Sequence, residues 1–233
     1  RRASDAKSIR PFVGGRTSGD RKIVGEFSAD LFDVRIDIDG NQAVAKLGRP
    51  VLARLVVVSN RVGVPDRAAR AGGLEVAIRP ALKRHGGLWF GWSGRVAENT
   101  PRAVKSVTQD NMTYATVDLS KDDYQEFYNG FANRVLWPIL HYRLDLAEFT
   151  RRDLGGYFRV NQYFATQLES VLRPDDVIWV HDYHLMPLAK ALRDRGHNNK
   201  IGFFIHIPFP PPEILTALPN HDQLIPALCH YAL

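Results

Sequence analysis

Four clusters in the 233-residue sequence combine residue types that can do chemistry. The densest is His181-Asp182-Tyr183-His184-Leu185, directly after the apolar run Val177-Ile178-Trp179-Val180. One strand-length later, Gly202-Phe203-Phe204-Ile205-His206 repeats the arrangement with His206 at its tip. His181, Asp182, His184 and His206 are all legitimate metal ligands. No second carboxylate-rich motif completes a coordination shell, so histidines satisfied inside the fold stay open beside the metal reading. Ser59-Asn60-Arg61 follows another apolar run, where Arg61 can grip a phosphate or carboxylate through paired charge-assisted bonds. A solvated loop arginine fits the same residues. Ala71-Gly72-Gly73-Leu74 lets backbone approach a ligand at a loop-to-helix junction, where a helix N-terminus favours an anion. It is neither GxGxxG nor a Walker loop, and a plain tight turn is its competitor. Last, Phe127-Tyr128-Asn129-Gly130-Phe131-Ala132-Asn133 runs on to Trp137-Pro138. Tyr128 and Trp137 are amphipathic aromatics suited to a sugar, yet aromatics at helical spacing also build cores.

These clusters need strands and helices to hold them. Arg54–Ser59 is a continuous β-branched run, the mark of a strand buried on both faces of a parallel sheet. Further strands are expected at Leu88–Trp92, Thr113–Val117, Val177–His181 and Ile201–His206. Helices are expected across Asp122–Leu136, Tyr157–Leu172 and Leu185–Arg195, and around Leu74, Ala77, Ile78, Ala81 and Leu82, where Pro80 interrupts. Strands alternating with helices predict an α/β fold with a largely parallel sheet and flanking helices. In such sheets ligands gather at the carboxyl ends of the strands, which is where the four clusters are expected to fall. Ahead of this domain, Phe32, Val34, Ile36 and Ile38 alternate with polar residues, and Asp39-Gly40 turns the chain towards Ala43–Leu47. The expected organisation is a basic, disordered tail over 1–22, a β hairpin or linker over 23–50, and a Rossmann-like domain over 51–233.

Composition narrows the classes. At 45% hydrophobic and 24% charged the chain reads as an ordinary globular domain, not a fibre or a disordered segment. Apolar runs such as Leu55–Val58 are far shorter than the ~18 residues of a membrane span, and no signal-peptide pattern opens the chain. The lone Cys229 cannot form an internal disulfide, which fits a reducing compartment and a cytoplasmic protein. Seven basic and two acidic side chains stand within residues 1–22, so the tail supplies five of the six net positive charges. A charged tail differs from a basic face on a folded domain, so no nucleic-acid or membrane partner is expected.

Several longer motifs occur in order: RLVVVSNR, AGGL, GGLWFGWSG, FYNGFANRVLWP, HYRLDL, IWVHDYHLMPLA and GFFIHIPFPPPEI. Together, from about Arg54 to the end, they resemble the trehalose-6-phosphate synthases, a retaining glycosyltransferase family. The resemblance implies the N-terminal half of a GT-B architecture, two Rossmann-like domains across a cleft. It implies glucosyl transfer from UDP-glucose to glucose 6-phosphate, with no cofactor and no metal. Motif by motif, Arg61 and Tyr128 match ligands of the acceptor phosphate. Trp137 matches an aromatic on the acceptor sugar, and Asp182 a carboxylate on its hydroxyls. Gly72 and Gly73 match the loop that meets the donor diphosphate, and His206 a histidine beside the transferred glucose.

The chain starts at an arginine and ends at Tyr231-Ala232-Leu233, which reads as a processed product or a fragment. The expectation is therefore an acceptor-side half, inactive alone. A non-catalytic sugar-phosphate-binding module is the alternative, and a homo-oligomer stays open.

Overall fold

In the computed structural model, the strands at 25–29, 32–39 and 42–47 are described by their backbone, and residues 53–63, 78–80, 82–83, 86–98 and 103–231 in full. The expected tail over 1–22 lies outside these residues. The expected hairpin is present: β2 (Phe32–Asp39) pairs antiparallel with β3 (Gln42–Leu47), Asp39 opposite Gln42. A strand not foreseen, β1 (Gly25–Ala29), pairs along the other edge of β2.

Six strands form the main sheet: β4 (Leu55–Arg61), β5 (Gly87–Ala97), β6 (Lys105–Gln109), β7 (Met112–Ser120), β8 (Val177–His181) and β9 (Lys200–Phe204). Their order is β6-β7-β5-β4-β8-β9. All neighbours are parallel except β6, which forms a hairpin with β7 through Asp110 and Asn111, both at positive φ. The fully exposed β6 offers no apolar alternation, which is why periodicity does not find it. The central β4 is covered on both faces. Val56 and Val58 join the large core under the helices, and Val57 joins a smaller one with Ile78, Leu82, Trp89 and Tyr114. Each such valine contributes ~1.5–3 kcal/mol by leaving water.

From β4 the chain builds outward through β5 and β7, then returns to lay β8 on the opposite side of β4. That reversal is the topological switch point at which open α/β sheets bind ligands. The return runs through helices. Lys121–Asp123, Tyr124–Leu136 and Trp137–Leu140 follow without a break and together form α1. The middle stretch is π-wound: the Trp137 N–H donates to the Ala132 carbonyl, five residues back. Phe127, Phe131 and Val135, four apart, form its buried row. Helix α2 (Arg151–Glu169) packs beside it, and Gly130 on one helix and Gly156 on the other allow the close approach. A Cβ at Gly130 would stand 2.5 Å from Cγ of Asp153.

Helix α2 starts six residues before the expected Tyr157, because Thr150 caps it by accepting from the Asp153 N–H at 3.0 Å. Helix α3 (Leu188–Asp194) starts later than the expected Leu185, since a 3₁₀ turn at Tyr183–Leu185 comes first. Strand β9 stops at Phe204, so His206 stands in the loop beyond it. Helix α4 (His221–Leu228) closes the described chain. Among the described residues no helix is long and apolar enough to cross a membrane.

Candidate active site at the sheet's carboxyl edge

Arg61 is the last residue of β4, exposed, with its guanidinium 5.8 Å from the centroid of the Trp92 ring on neighbouring β5. That is cation–π range. Trp92 is itself held, its indole N–H donating to the Arg95 carbonyl at 2.7 Å. Gly94, at φ +82°, makes room: a Cβ there would stand 2.8 Å from an Arg61 guanidinium nitrogen. Among the described residues no carboxylate pairs with Arg61, so its charge is available to a ligand.

From Trp92 a chain of rings crosses the edge of the sheet. Tyr128 on α1 lies 6.0 Å from Trp92, and the buried His184 stacks on Tyr128 at 5.6 Å and 14°. Tyr183 follows at 4.1 Å from His184, and Trp137 at 5.8 Å from Tyr183. Arg61, Tyr128 and Trp137, far apart in sequence, thus share one aromatic floor. Among the α1 aromatics Phe127 and Phe131 are fully enclosed in the core, and Tyr128 packs against it. Tyr128 is half-buried, and Trp137 keeps 44% of its surface exposed.

Asp182 sits where β8 ends, at φ 78° and ψ 162°, a region that is essentially glycine's. An aspartate held there is strained, and the surroundings over-determine it. Its N–H donates to the Phe204 carbonyl at 2.7 Å, and its Oδ1 accepts from the Tyr183 N–H at 3.0 Å. The next three carbonyls are each taken by a buried side chain. The Tyr157 hydroxyl donates to Tyr183 O at 2.6 Å, Asn161 Nδ2 to His184 O at 3.1 Å, and the Tyr231 hydroxyl to Leu185 O at 2.6 Å. Tyr183 in turn donates its hydroxyl to Asn133 Oδ1 at 3.1 Å. The turn that carries Asp182 is therefore bolted to α1, α2 and the segment after α4.

The histidines divide by environment. His181 is buried against the Trp179 ring, with Nδ1 3.0 Å from His206 Nε2. Burial, then the adjacent His206, pushes His181 down to about 3. Burial alone pushes His184 down to about 3. His206 is exposed beyond β9 and also lowered, burial of its ring outweighing the nearby Asp182 carboxylate. Gly72 and Gly73 lie outside the described residues.

Trp92, Tyr157, Asn161 and Tyr231 were not found as positioning residues from the sequence. Tyr157 and Asn161 carried a faint signal: polar residues four apart on the apolar stripe of a helix. Trp92 and Tyr231 carried none, since their partners are remote in sequence.

Residues 56–233 match the profile of glycosyltransferase family 20. The chain belongs to that family. Over 184 residues it is 54% identical to the trehalose-6-phosphate synthase of Sinorhizobium fredii, covering 77% of this chain and 40% of that protein. A crystal structure of an α,α-trehalose-phosphate synthase (UDP-forming) from Burkholderia xenovorans, in complex with glucose-6-phosphate, aligns at 49% identity with a TM-score of 0.72. The match covers 77% of this chain and 39% of that one. An E. coli structure bound with UDP-2-fluoro glucose aligns at 55% identity with a TM-score of 0.71, covering 77% and 38%. The family-20 chain thus spans about 40% of the length of the relatives it matches. Its six-stranded sheet is one Rossmann-like unit of the GT-B architecture these structures share.

Proposed function

We propose that this chain carries the acceptor side of a glucosyl transfer from UDP-glucose to glucose 6-phosphate, giving trehalose 6-phosphate and UDP. The observation that carries the reading is the aromatic floor, which joins Arg61, Tyr128 and Trp137 beside Asp182 at the switch point of the sheet. A sugar phosphate asks for this combination. Arg61, which no carboxylate pairs among the described residues, supplies a charge for the phosphate and the Tyr128 hydroxyl a further donor. The exposed Trp137 ring offers a flat apolar face for the sugar, and the Asp182 carboxylate accepts from its hydroxyls. The relatives' complexes with glucose-6-phosphate and UDP-2-fluoro glucose support the same two substrates.

In this scheme Asp182 orients the acceptor hydroxyl, while His206 and the Gly72-Gly73 turn face the donor. Rate then comes from positioning and from stabilising the departing diphosphate, without a protein nucleophile. A cytoplasmic location, and no nucleic-acid or membrane partner, belong to the same reading. On its own the 233-residue chain binds the acceptor and does not turn over.

The test is UDP release from UDP-glucose and glucose 6-phosphate, by this chain alone and fused to the remaining length of a relative. Release by the fusion that depends on Asp182 supports the proposal. A fusion that binds glucose 6-phosphate and releases no UDP would favour the non-catalytic sugar-phosphate-binding module.

A further inference from the structure

The histidine pair at the ends of β8 and β9 carries a proton assignment. His181 Nδ1 and His206 Nε2 stand 3.0 Å apart, so one donates and the other accepts. Each ring is neutral at pH 7, since burial keeps the protonated forms unfavourable. A neutral imidazole carries one N–H, which leaves two arrangements. If His206 donated from Nε2, then His181 would accept at Nδ1 and carry its own proton on Nε2. That Nε2 is enclosed and has no partner among the described residues, so its N–H would be orphaned. Orphaned buried N–H groups are rare and unfavourable. If His181 donates instead, the enclosed atom is a bare lone pair beside the rings of Trp179 and Phe204. The remaining His206 N–H is then on Nδ1, in the field of the Asp182 carboxylate, which favours a proton over a lone pair on the exposed ring.

We propose that His181 is a positioning residue that fixes the tautomer of His206. Its Nδ1–H donates to His206 Nε2, so His206 presents Nδ1–H outward as a neutral hydrogen-bond donor. The use of that donor rests on the reading of His206 as a donor-side residue. It would donate to a hydroxyl oxygen of the transferred sugar, to which the other tautomer offers only a lone pair. The exposed histidine would otherwise sample both tautomers, as a free imidazole does, and spend part of its time with the wrong group facing the ligand.

The experiment is nitrogen-15 NMR of the histidine rings in the 233-residue chain at pH 7, with His206→Gln to assign the signals. The expected result is protonation at Nδ1 on both His181 and His206. In His181→Asn the side-chain amide replaces the donor and His206 stays protonated at Nδ1. In His181→Phe the donor is gone and His206 reverts to a mixture. Protonation of His206 at Nε2 in the unaltered chain overturns the proposal, even should His181→Phe fail to fold. So does an unchanged His206 in a folded His181→Phe chain. UDP release by the fusion described above separates the two claims. Turnover kept by His181→Asn but lost alike by His181→Phe and His206→Ala supports both. A tautomer that shifts as expected while His206→Ala leaves turnover untouched removes His206 from the donor site and leaves the assignment standing.

Discussion

The ring of His184 lies nearly parallel to that of Tyr128, 5.6 Å away and 14° apart, with the Tyr183 ring 4.1 Å from it. Both its nitrogens are enclosed without a partner among the described residues, so this histidine serves as an aromatic plate in the floor. Its reach is structural, and it shows in the response to pH.

Burial lowers His184 from its ordinary 6.5 to about 3. Between those values the unfolded chain binds a proton that the folded chain refuses. Its contribution is therefore complete above pH 6.5 and is lost as pH falls towards 3. His184→Phe keeps the ring stack and removes the proton. We predict one fewer proton taken up on unfolding at pH 5, measured by calorimetry in buffers of different ionisation enthalpy. Equal uptake in the two proteins would mean that His184 is already charged when folded.

Arg61 is expected to dominate the charge contact with glucose 6-phosphate. Arg61→Ala should weaken binding by ~1.5–3 kcal/mol, ~10- to 150-fold in Kd. Gly94→Ala should weaken it in the same direction without touching the ligand. The added methyl would meet the Arg61 guanidinium, and at φ +82° it also strains the backbone, so the variant should melt lower as well. Titration calorimetry reads both, and affinity unchanged in Arg61→Ala would take Arg61 out of the site.

Asp182 occupies backbone space that suits only glycine, so stability and function should part company there. Asp182→Gly and Asp182→Ala both lose the carboxylate, but only alanine keeps the strain. The glycine variant should be more stable than the alanine variant by about 1–2 kcal/mol, ~4 °C in Tm. An alanine variant melting as high as the glycine one would show that the turn relaxes freely. Asp182→Asn keeps an oxygen for the Tyr183 N–H and should leave the fold intact. Turnover of the fusion should then fall ~100-fold, as a misoriented hydroxyl predicts.

Tyr157→Phe removes a single oxygen and leaves the Tyr183 carbonyl buried and unpaired. The ring remains packed on Phe131 at 4.9 Å and on Phe127 at 5.9 Å. The expected cost is ~1–3 kcal/mol in urea unfolding at constant m, from the lost polar contacts of the hydroxyl. A loss below measurement would mean that another donor reaches the carbonyl.

The strands at Leu55 and Val177 could be read from sequence because burial on both faces demands an unbroken apolar run, a purely local pattern. The antiparallel pairing of β2 with β3 and the α/β class were equally local, signalled by the Asp39-Gly40 dipeptide and the alternation of periods. Arg61, Tyr128, Trp137, Asp182 and His206 were legible as candidates through residue type and motif, with a solvated arginine, core aromatics and structural histidines open beside them. Only the tertiary structure shows which of these candidates lie side by side. The strand order β5-β4-β8 brings Trp92, Arg61 and Asp182 to one edge, and strand order is a choice among long-range pairings that no local window contains. The π winding of Tyr124–Leu136 was hidden for a related reason. Apolar residues four apart fit either helix, and it is the Trp137 N–H reaching Ala132 that tells them apart. The protons of His181 and His206 depend on a contact across 25 positions, formed only when β8 and β9 lie side by side.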